Sequence, residues 1–282
     1  MAISLHTNYA NLVTQNTLNS TNNALSTSME RLSTGYRVNS AADDAAGLQI
    51  ANRLELQSRG MSVASRNSQD AISMMQTAES SMDEMTNIAY RMNDLATQAA
   101  NGSNTLEDRQ ALDAEFAALA GQLKDMTTNT NFGGQKLLAS GAGVFATGTV
   151  TFQTGSTNKE VTKVTVTTEL GSLNAAITKF SGSMTISTAA SAQGVMSALS
   201  SFINVVGESR AAFGAQINNL EHNINNLANM TENLEASKGR IMDTDFASES
   251  GNMSKNQMLM QSGAQMLSAT KTIPQLAMSM LG

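Results

Sequence analysis

Two adjacent carboxylates, Asp43 and Asp44, stand among alanines and glycines in the stretch LSTGYRVNSAADDAAGL, residues 32–48. Paired acids can act as general acid and base, but successive positions of a helix do not face each other. Two convergent catalytic carboxylates would come from separate elements. Ser40-Ala-Ala-Asp43 instead fits a capping box, and acids in a first helical turn meet the positive end of the helix dipole. Helix punctuation is therefore the expected role.

The other chemistry-bearing residues point the same way. His6 and His222 are the only histidines and lie far apart, with no HExxH, so neither zinc nor histidine-based catalysis is expected. Both are expected on solvated surfaces. Gly133-Gly134 does not have the spacing of a phosphate-binding loop. The N-x-S/T triplets at Asn19, Asn101, Asn229 and Asn252 arise readily in a chain rich in Asn, Ser and Thr. The 19 methionines could suggest a metal or a promiscuous ligand. An adaptable core filler is the stronger reading. No catalytic, cofactor-binding or metal site is expected, and no enzyme.

The elements that position these residues follow from composition and period. The 282 residues include one proline, Pro274, and neither cysteine nor tryptophan, which permits long unbroken helices. The formal charge is −6 with no basic stripe, so no nucleic-acid partner is expected. The start, MAISLHTNYANLV, lacks a charged segment followed by an apolar one, so no cleaved signal is expected. No apolar run of about 18 residues is evident, so no membrane insertion is expected.

Ala71, Met75, Ala78, Met82, Met85, Ala89, Met92, Ala96 and Ala99 step by fours and threes, a heptad seam. NGSN, 101–104, breaks that helix, and Leu112, Phe116, Leu119, Leu123 and Met126 form a second seam. Residues 130–188 are rich in Gly, Ser and Thr. TVTFQTG, VTKVTVTT and SMTIST there read as strands or hairpins. Leu199, Val206, Phe213, Leu220, Leu227, Leu234 and Ile241 then recur every seven residues, with Arg210, Thr231 and Lys238 as interruptions. Such a helix would run roughly 65 Å at about 1.5 Å per residue. At the ends, Leu5, Leu12, Leu18 and Leu25, and Leu259, Met266, Ile273 and Met280, predict amphipathic helices that pair antiparallel.

LSTGYRVNSAADDAAGLQIANRL (32–54), RNSQDAISMMQTAESSMDEM (66–85), QAANG (98–102) and NFGGQKLL (131–138) closely resemble the amino-terminal half of bacterial flagellin. The stretch from Ser209 to Glu249 and MLMQSGAQMLSATKTIPQLAMSMLG (258–282) resemble its carboxy-terminal half. The short middle resembles that of compact flagellins, including lateral and swarming types. Asn93, Asp94 and Gly133-Gly134 depart mildly from the commoner pattern.

The resemblance implies a mainly α fold. An inner pair of terminal helices would join an outer bundle of antiparallel coiled-coil helices carrying a small β-hairpin middle. The implied parts are an N-terminal helix at 1–34 and a joint at 35–46 holding Gly35, Asn39, Ser40, Asp43 and Asp44. Outer helices at 47–130, a β-rich middle at 131–188, an outer helix at 189–242 and a terminal helix at 243–282 would follow. It also implies a homopolymeric, extracellular flagellar filament, exported uncleaved through the flagellar type III apparatus. An export chaperone at the C-terminal region, a filament cap and hook-associated junction proteins are the implied partners. A Toll-like innate immune receptor would read Arg91, Leu95, Gln98 and Glu115. A flagellin-like hook–filament junction protein, or a chemoreceptor-like signalling coiled coil, is the alternative.

Overall fold

The computed structural model describes residues 8–279, with side chains described to residue 272. Seven helices occur among them: α1 (Tyr9–Thr34), α2 (Ala45–Ala100), α3 (Leu106–Asn129), α4 (Val144–Thr147), α5 (Thr167–Gly182), α6 (Ala189–Met242) and α7 (Phe246–Ser279). Two antiparallel strand pairs accompany them: β1 (Asn131–Phe132) with β2 (Gln135–Lys136), and β3 (Val150–Gln153) with β4 (Val161–Val164). The chain divides into two compact units, residues 58–231, and residues 1–57 with 232–282. The division runs through α2 and α6, inside helices that the implied parts assigned whole to the outer bundle.

The larger unit is built on the α2 seam. Every one of the nine seam residues from Ala71 to Ala99 is buried, the four methionines completely. They share one core with Phe116 and Leu123 of α3, with Leu170 and Ile177 of α5, and with Leu199, Val206, Phe213 and Leu220 of α6. Full burial of a large apolar side chain contributes about 1.5–3 kcal/mol, so the stripe dominates this unit's stability. Alanines between the methionines let helices approach, and the unbranched thioethers fill the gaps. Two aromatic pairs meet edge to face, Phe145 with Phe213 at 5.0 Å and Phe180 with Phe202 at 5.6 Å between ring centres.

Connections are closed by local chemistry. At the α2–α3 turn, Thr105 and Asp108 form a reciprocal capping box. Arg109 reaches back from α3, and its guanidinium donates to the carbonyls of Ala99 (2.9 Å) and Asn101 (3.0 Å) at the end of α2. The β3–β4 hairpin pairs Val150 with Val164 and Gln153 with Val161. Asn67 of α2 and Asn223 of α6 donate side-chain amides to the carbonyls of Gln153 and Thr154 and hold it in place.

The middle departs from expectation in two ways. SMTIST, 183–188, is not a strand. Its Ile186 amide donates instead to the Asp113 carboxylate at 2.7 Å, and Ile186 is buried in the core. Residues 167–182, expected to be β-rich, form α5. Its Leu170, Leu173, Ile177 and Phe180, spaced by three and four, are all buried, and that spacing suits a helix. α6 also holds a stretch of mean hydropathy 1.2, long and apolar enough to cross a membrane by length and composition, where no apolar run of about 18 residues was expected. Its Leu199, Phe202 and Val206 are buried in the core described above.

Two of the three interruptions of the α6 seam, Arg210 and Lys238, are ion-pair positions, while the Thr231 hydroxyl donates to the Leu227 carbonyl of its own helix at 2.8 Å. Arg210 meets Asp83 at 2.8 Å and Glu79 at 3.4 Å, both on α2. In the smaller unit, Lys238 pairs with Glu55 of α2 and lies 3.5 Å from Glu235. Glu55 is the main cause of the raised Lys238 pKa, against a smaller opposing effect of burial.

Candidate assembly and recognition surfaces

The joint lies wholly in the smaller unit. α1 ends at Gly35, whose φ of +78° places it in the left-handed region that favours glycine. The chain then turns alongside the link between α6 and α7. Tyr36 bridges Asp243, the Arg37 amide donates to the Met242 carbonyl at 2.6 Å, and the Thr244 amide donates to the Gly35 carbonyl at 3.0 Å. The Arg37 guanidinium adds a bond of 2.8 Å to the Ile241 carbonyl. Two short links thus satisfy each other's backbone groups.

The two neighbouring acids do different work there. Asp44 is the N-cap of α2, its carboxylate accepting the Gly47 amide at 2.8 Å. A β-carbon on Gly47 would come within 2.5 Å of an Asp44 oxygen, so glycine leaves room for the cap. Asp43 does not cap α2. Its carboxylate turns back to accept the amides of Ser40 (2.9 Å) and Asn39 (3.1 Å) and the Ser40 hydroxyl (3.1 Å). These bonds, the Ser40 amide foremost, hold the Asp43 pKa below the usual carboxylate range. The box expected at Ser40–Asp43 is therefore only half formed, since the Asp43 amide donates to the Ser40 carbonyl and not to its hydroxyl. On the facing link, Asp245 starts α7, accepting the Ala247 amide and the Ser248 hydroxyl, each at 2.9 Å. Ser248 is the chief cause of its lowered pKa. The carboxylates are occupied with backbone and hydroxyl donors and do not converge.

α1 and α7 pair antiparallel, as the positions of three contacts show. The Asn8 amide donates to the Thr270 carbonyl at 3.0 Å, Leu18 packs over Gly263, and Arg31 lies 3.9 Å from Glu249. A β-carbon at Gly263 would stand 2.8 Å from the Leu18 methyl, so the glycine is the hole for that knob.

The expected terminal seam is corrected in part. Leu25 is buried and Leu18 half-buried, but Leu12, Leu259 and Met266 are 54%, 48% and 62% exposed. On α7 the shielded residues are Met253, Met260 and Leu267, so the pair uses a repeat one residue further along than Leu259 and Met266. On α1 the shielded side is largely polar, with Asn11, Thr14, Thr21 and Ser28 between the leucines. The apolar repeat alone therefore does not mark which residues of α7 face α1. Leu5 and Met280 lie outside the described residues, as do His6 and the side chain of Ile273. His222 is exposed on α6.

On the larger unit, Arg91 and Glu115 meet across α2 and α3. The Arg91 guanidinium donates twice to one Glu115 oxygen, at 2.6 and 3.1 Å. Gln98 is exposed on the same unit. Leu95 does not join them at the surface: it is 2% exposed and belongs to the core. Positions four apart share a face only broadly, and Leu95 falls on the core side of that face. Arg37 and Gly263 were missed, and Arg210 was marked only as a break in the α6 repeat. Only the isolated cations inside an apolar repeat signalled Arg210.

Comparison with known proteins defines the class. The bacterial flagellin N-terminal helical region matches residues 5–142, and the C-terminal helical region matches residues 196–281. This chain belongs to the bacterial flagellin family. Flagellin A of Vibrio anguillarum is 35% identical over 378 aligned residues, with all of both chains covered. Polar flagellin C of Vibrio parahaemolyticus serotype O3:K6 is 33% identical over 388, again with both covered in full. Among solved structures, Bacillus cereus flagellin is 30% identical, with a TM-score of 0.49 over 57% of this chain and 88% of that one.

Proposed function

We propose that the apolar residues left open on the terminal helix pair are the surface through which this flagellin, a structural subunit of the flagellar filament, meets its neighbours. The observation that carries this reading is the off-register seam. α1 and α7 shield a polar-rich stripe and leave Tyr9, Leu12, Val13, Met258, Leu259 and Met266 exposed. A run of large apolar side chains along an exposed pair marks an interaction surface. Heterologous contacts combining rotation with rise build an open helix and not a closed ring. No substrate is turned over.

Several finer statements belong to the same reading. The subunit is secreted through the flagellar type III apparatus, with a chaperone on its C-terminal region, and a cap and junction proteins bound the filament. The free subunit presents Arg91, Gln98 and Glu115 to a Toll-like receptor, with Leu95 acting from beneath as packing. The exposed Arg91–Glu115 pair supports that assignment. The test of assembly is seeded elongation followed by electron microscopy, without nucleotide or metal. Long filaments are expected, and a chain that stays monomeric on fresh seeds refutes the reading.

A further inference from the structure

Among the described residues the methionines range from fully enclosed to widely exposed. Met75, Met82, Met85 and Met92 are completely enclosed in the larger unit. Met258 and Met266 on α7 are 65% and 62% exposed, on a face turned away from the shielded Met253, Met260 and Leu267. Leu259 lies beside them, so both thioethers belong to the apolar surface described above. The chain has no cysteine, so no thiol competes for a two-electron oxidant. Among the described residues, Met29 and Met230, 47% and 40% exposed, are the next most open.

We propose that Met258 and Met266 form a reversible oxidation site in the free subunit, at which sulfoxide formation by a peroxide-class oxidant blocks addition to the filament. The regulation rests on the assembly reading given above. In the step, a sulfur lone pair attacks one peroxide oxygen and the O–O bond breaks. The thioether gains one oxygen and loses two electrons, while hydrogen peroxide is reduced to water. A reductase using a dithiol reverses it: the oxygen leaves as water and the dithiol becomes a disulfide. The product is polar and sits on a surface that must be desolvated on assembly, where an unpaired S=O dipole is unfavourable. The enclosed methionines have no comparable access, so the larger unit keeps its core while the assembly surface is altered. Once subunits are packed, the same thioethers are covered, which confines the site to the free chain.

The experiment treats the full-length free chain with hydrogen peroxide, maps sulfoxide by peptide mass spectrometry, and measures seeded elongation. Met258 and Met266 are expected to oxidise at least tenfold faster than Met75 and Met82, and elongation to slow at least fivefold. Methionine sulfoxide reductase with a dithiol should restore the rate. The M258L/M266L chain should elongate after peroxide as it did before. Fully oxidised Met258 and Met266 with an unchanged elongation rate would overturn the proposal. So would an equal loss in M258L/M266L, and so would failure of the reductase to restore the wild-type rate. Those results are distinct from failure of the untreated chain to elongate, which removes the assembly reading and this proposal with it.

Discussion

The α2 seam of the larger unit and the α1–α7 pair of the smaller one share a seven-residue period and little else. Along α2 the shielded stripe is built from Ala, Met, Ile and Leu, and no residue buried from Ala71 to Ala99 is polar. Along α1 it alternates Asn11, Thr14, Leu18, Thr21, Leu25 and Ser28, and its partner helix offers Asn256, Gly263 and Thr270 among the shielded positions. The first stripe buries enough apolar surface to hold its helices within one chain. The second closes a specific register around a few knobs and leaves its larger hydrophobes outside. A period alone therefore says that two helices can pair. The chemistry of the stripe says whether the pair suffices by itself or awaits further copies.

The sharpest way to break this contrast is to cut one side chain from each region. Phe213 is completely buried against Phe145, and Phe213→Ala should cost about 3–5 kcal/mol of unfolding free energy. Leu12 is exposed, and Leu12→Ala should change the free chain by under about 0.5 kcal/mol while slowing seeded elongation. Denaturant unfolding and elongation kinetics on both variants decide it. Equal losses of stability would show that the terminal pair is as self-sufficient as the core.

Hydrogen exchange sharpens the same point without mutation. Amides from Ala71 to Ala99 should be strongly protected in free chain and filament alike. Those of α1 and α7 should exchange fast in the free chain and slowly in the filament, because their exposed apolar face gains partners only on assembly. Strong protection of α1 and α7 in the free chain would show that they order without neighbours.

How far the sequence carried can be judged from the same residues. The seams of α2 and α6 were legible because long apolar stripes at a constant period have one physical solution. α5 was not, since Leu170, Leu173, Ile177 and Phe180 sit in a Ser/Thr/Gly-rich background that resembles hairpins. The link between α1 and α2 was legible in place but not in wiring. Asp43 and Asp44 are chemically alike, and only the path of the backbone decides which one caps α2. On the terminal helices the leucines and methionines were visible, but the register depended on Gly263, Asn11 and Glu249, which hydrophobicity does not mark. Leu95 was misplaced because its spacing from Arg91 does not decide which edge of that face turns into the core.

The joint supplies the next two tests. Asp44→Ala removes the N-cap of α2 and should cost about 0.5–2 kcal/mol, seen as lost amide protection over the first turn of α2. Asp43→Ala should leave that turn protected and release the Ser40 amide instead. Equal effects on the α2 start would show that both acids cap it. The acid limb is the finer probe. Asp43 and Asp245 have lowered pKa values, so the folded state binds their protons less readily than the unfolded chain. Their contribution is fully present above the ordinary carboxylate range, near about pH 4, and is lost as pH falls through the lowered values. Protection of the Ser40 and Ser248 amides should therefore fall below about pH 4 before the α2 core opens. Asp43→Asn should remove the step at Ser40 alone. A Ser40 profile identical in wild type and Asp43→Asn would exclude Asp43 as its source.

A small effect on stability is also expected at Arg91, where the functional consequence is proposed to be large. Its pair with Glu115 is about half exposed on both sides, so Arg91→Ala should cost at most about 1 kcal/mol despite the short contacts. Leu95→Ala opens the core beneath and should cost about 2–5 kcal/mol, so it reports on folding and not on surface contact. The two variants therefore separate recognition from packing, which a double substitution would blur. With free chain applied to cells carrying the receptor, Arg91→Ala should lower signalling at unchanged melting temperature. Glu115→Ala should do the same more weakly, because the guanidinium stays in place and loses only its tether. Intact filament, freed of shed subunits, should signal poorly if assembly covers this face. Undiminished signalling by stably folded Arg91→Ala would remove Arg91 from the recognition surface and leave the pair as a tie between α2 and α3 alone.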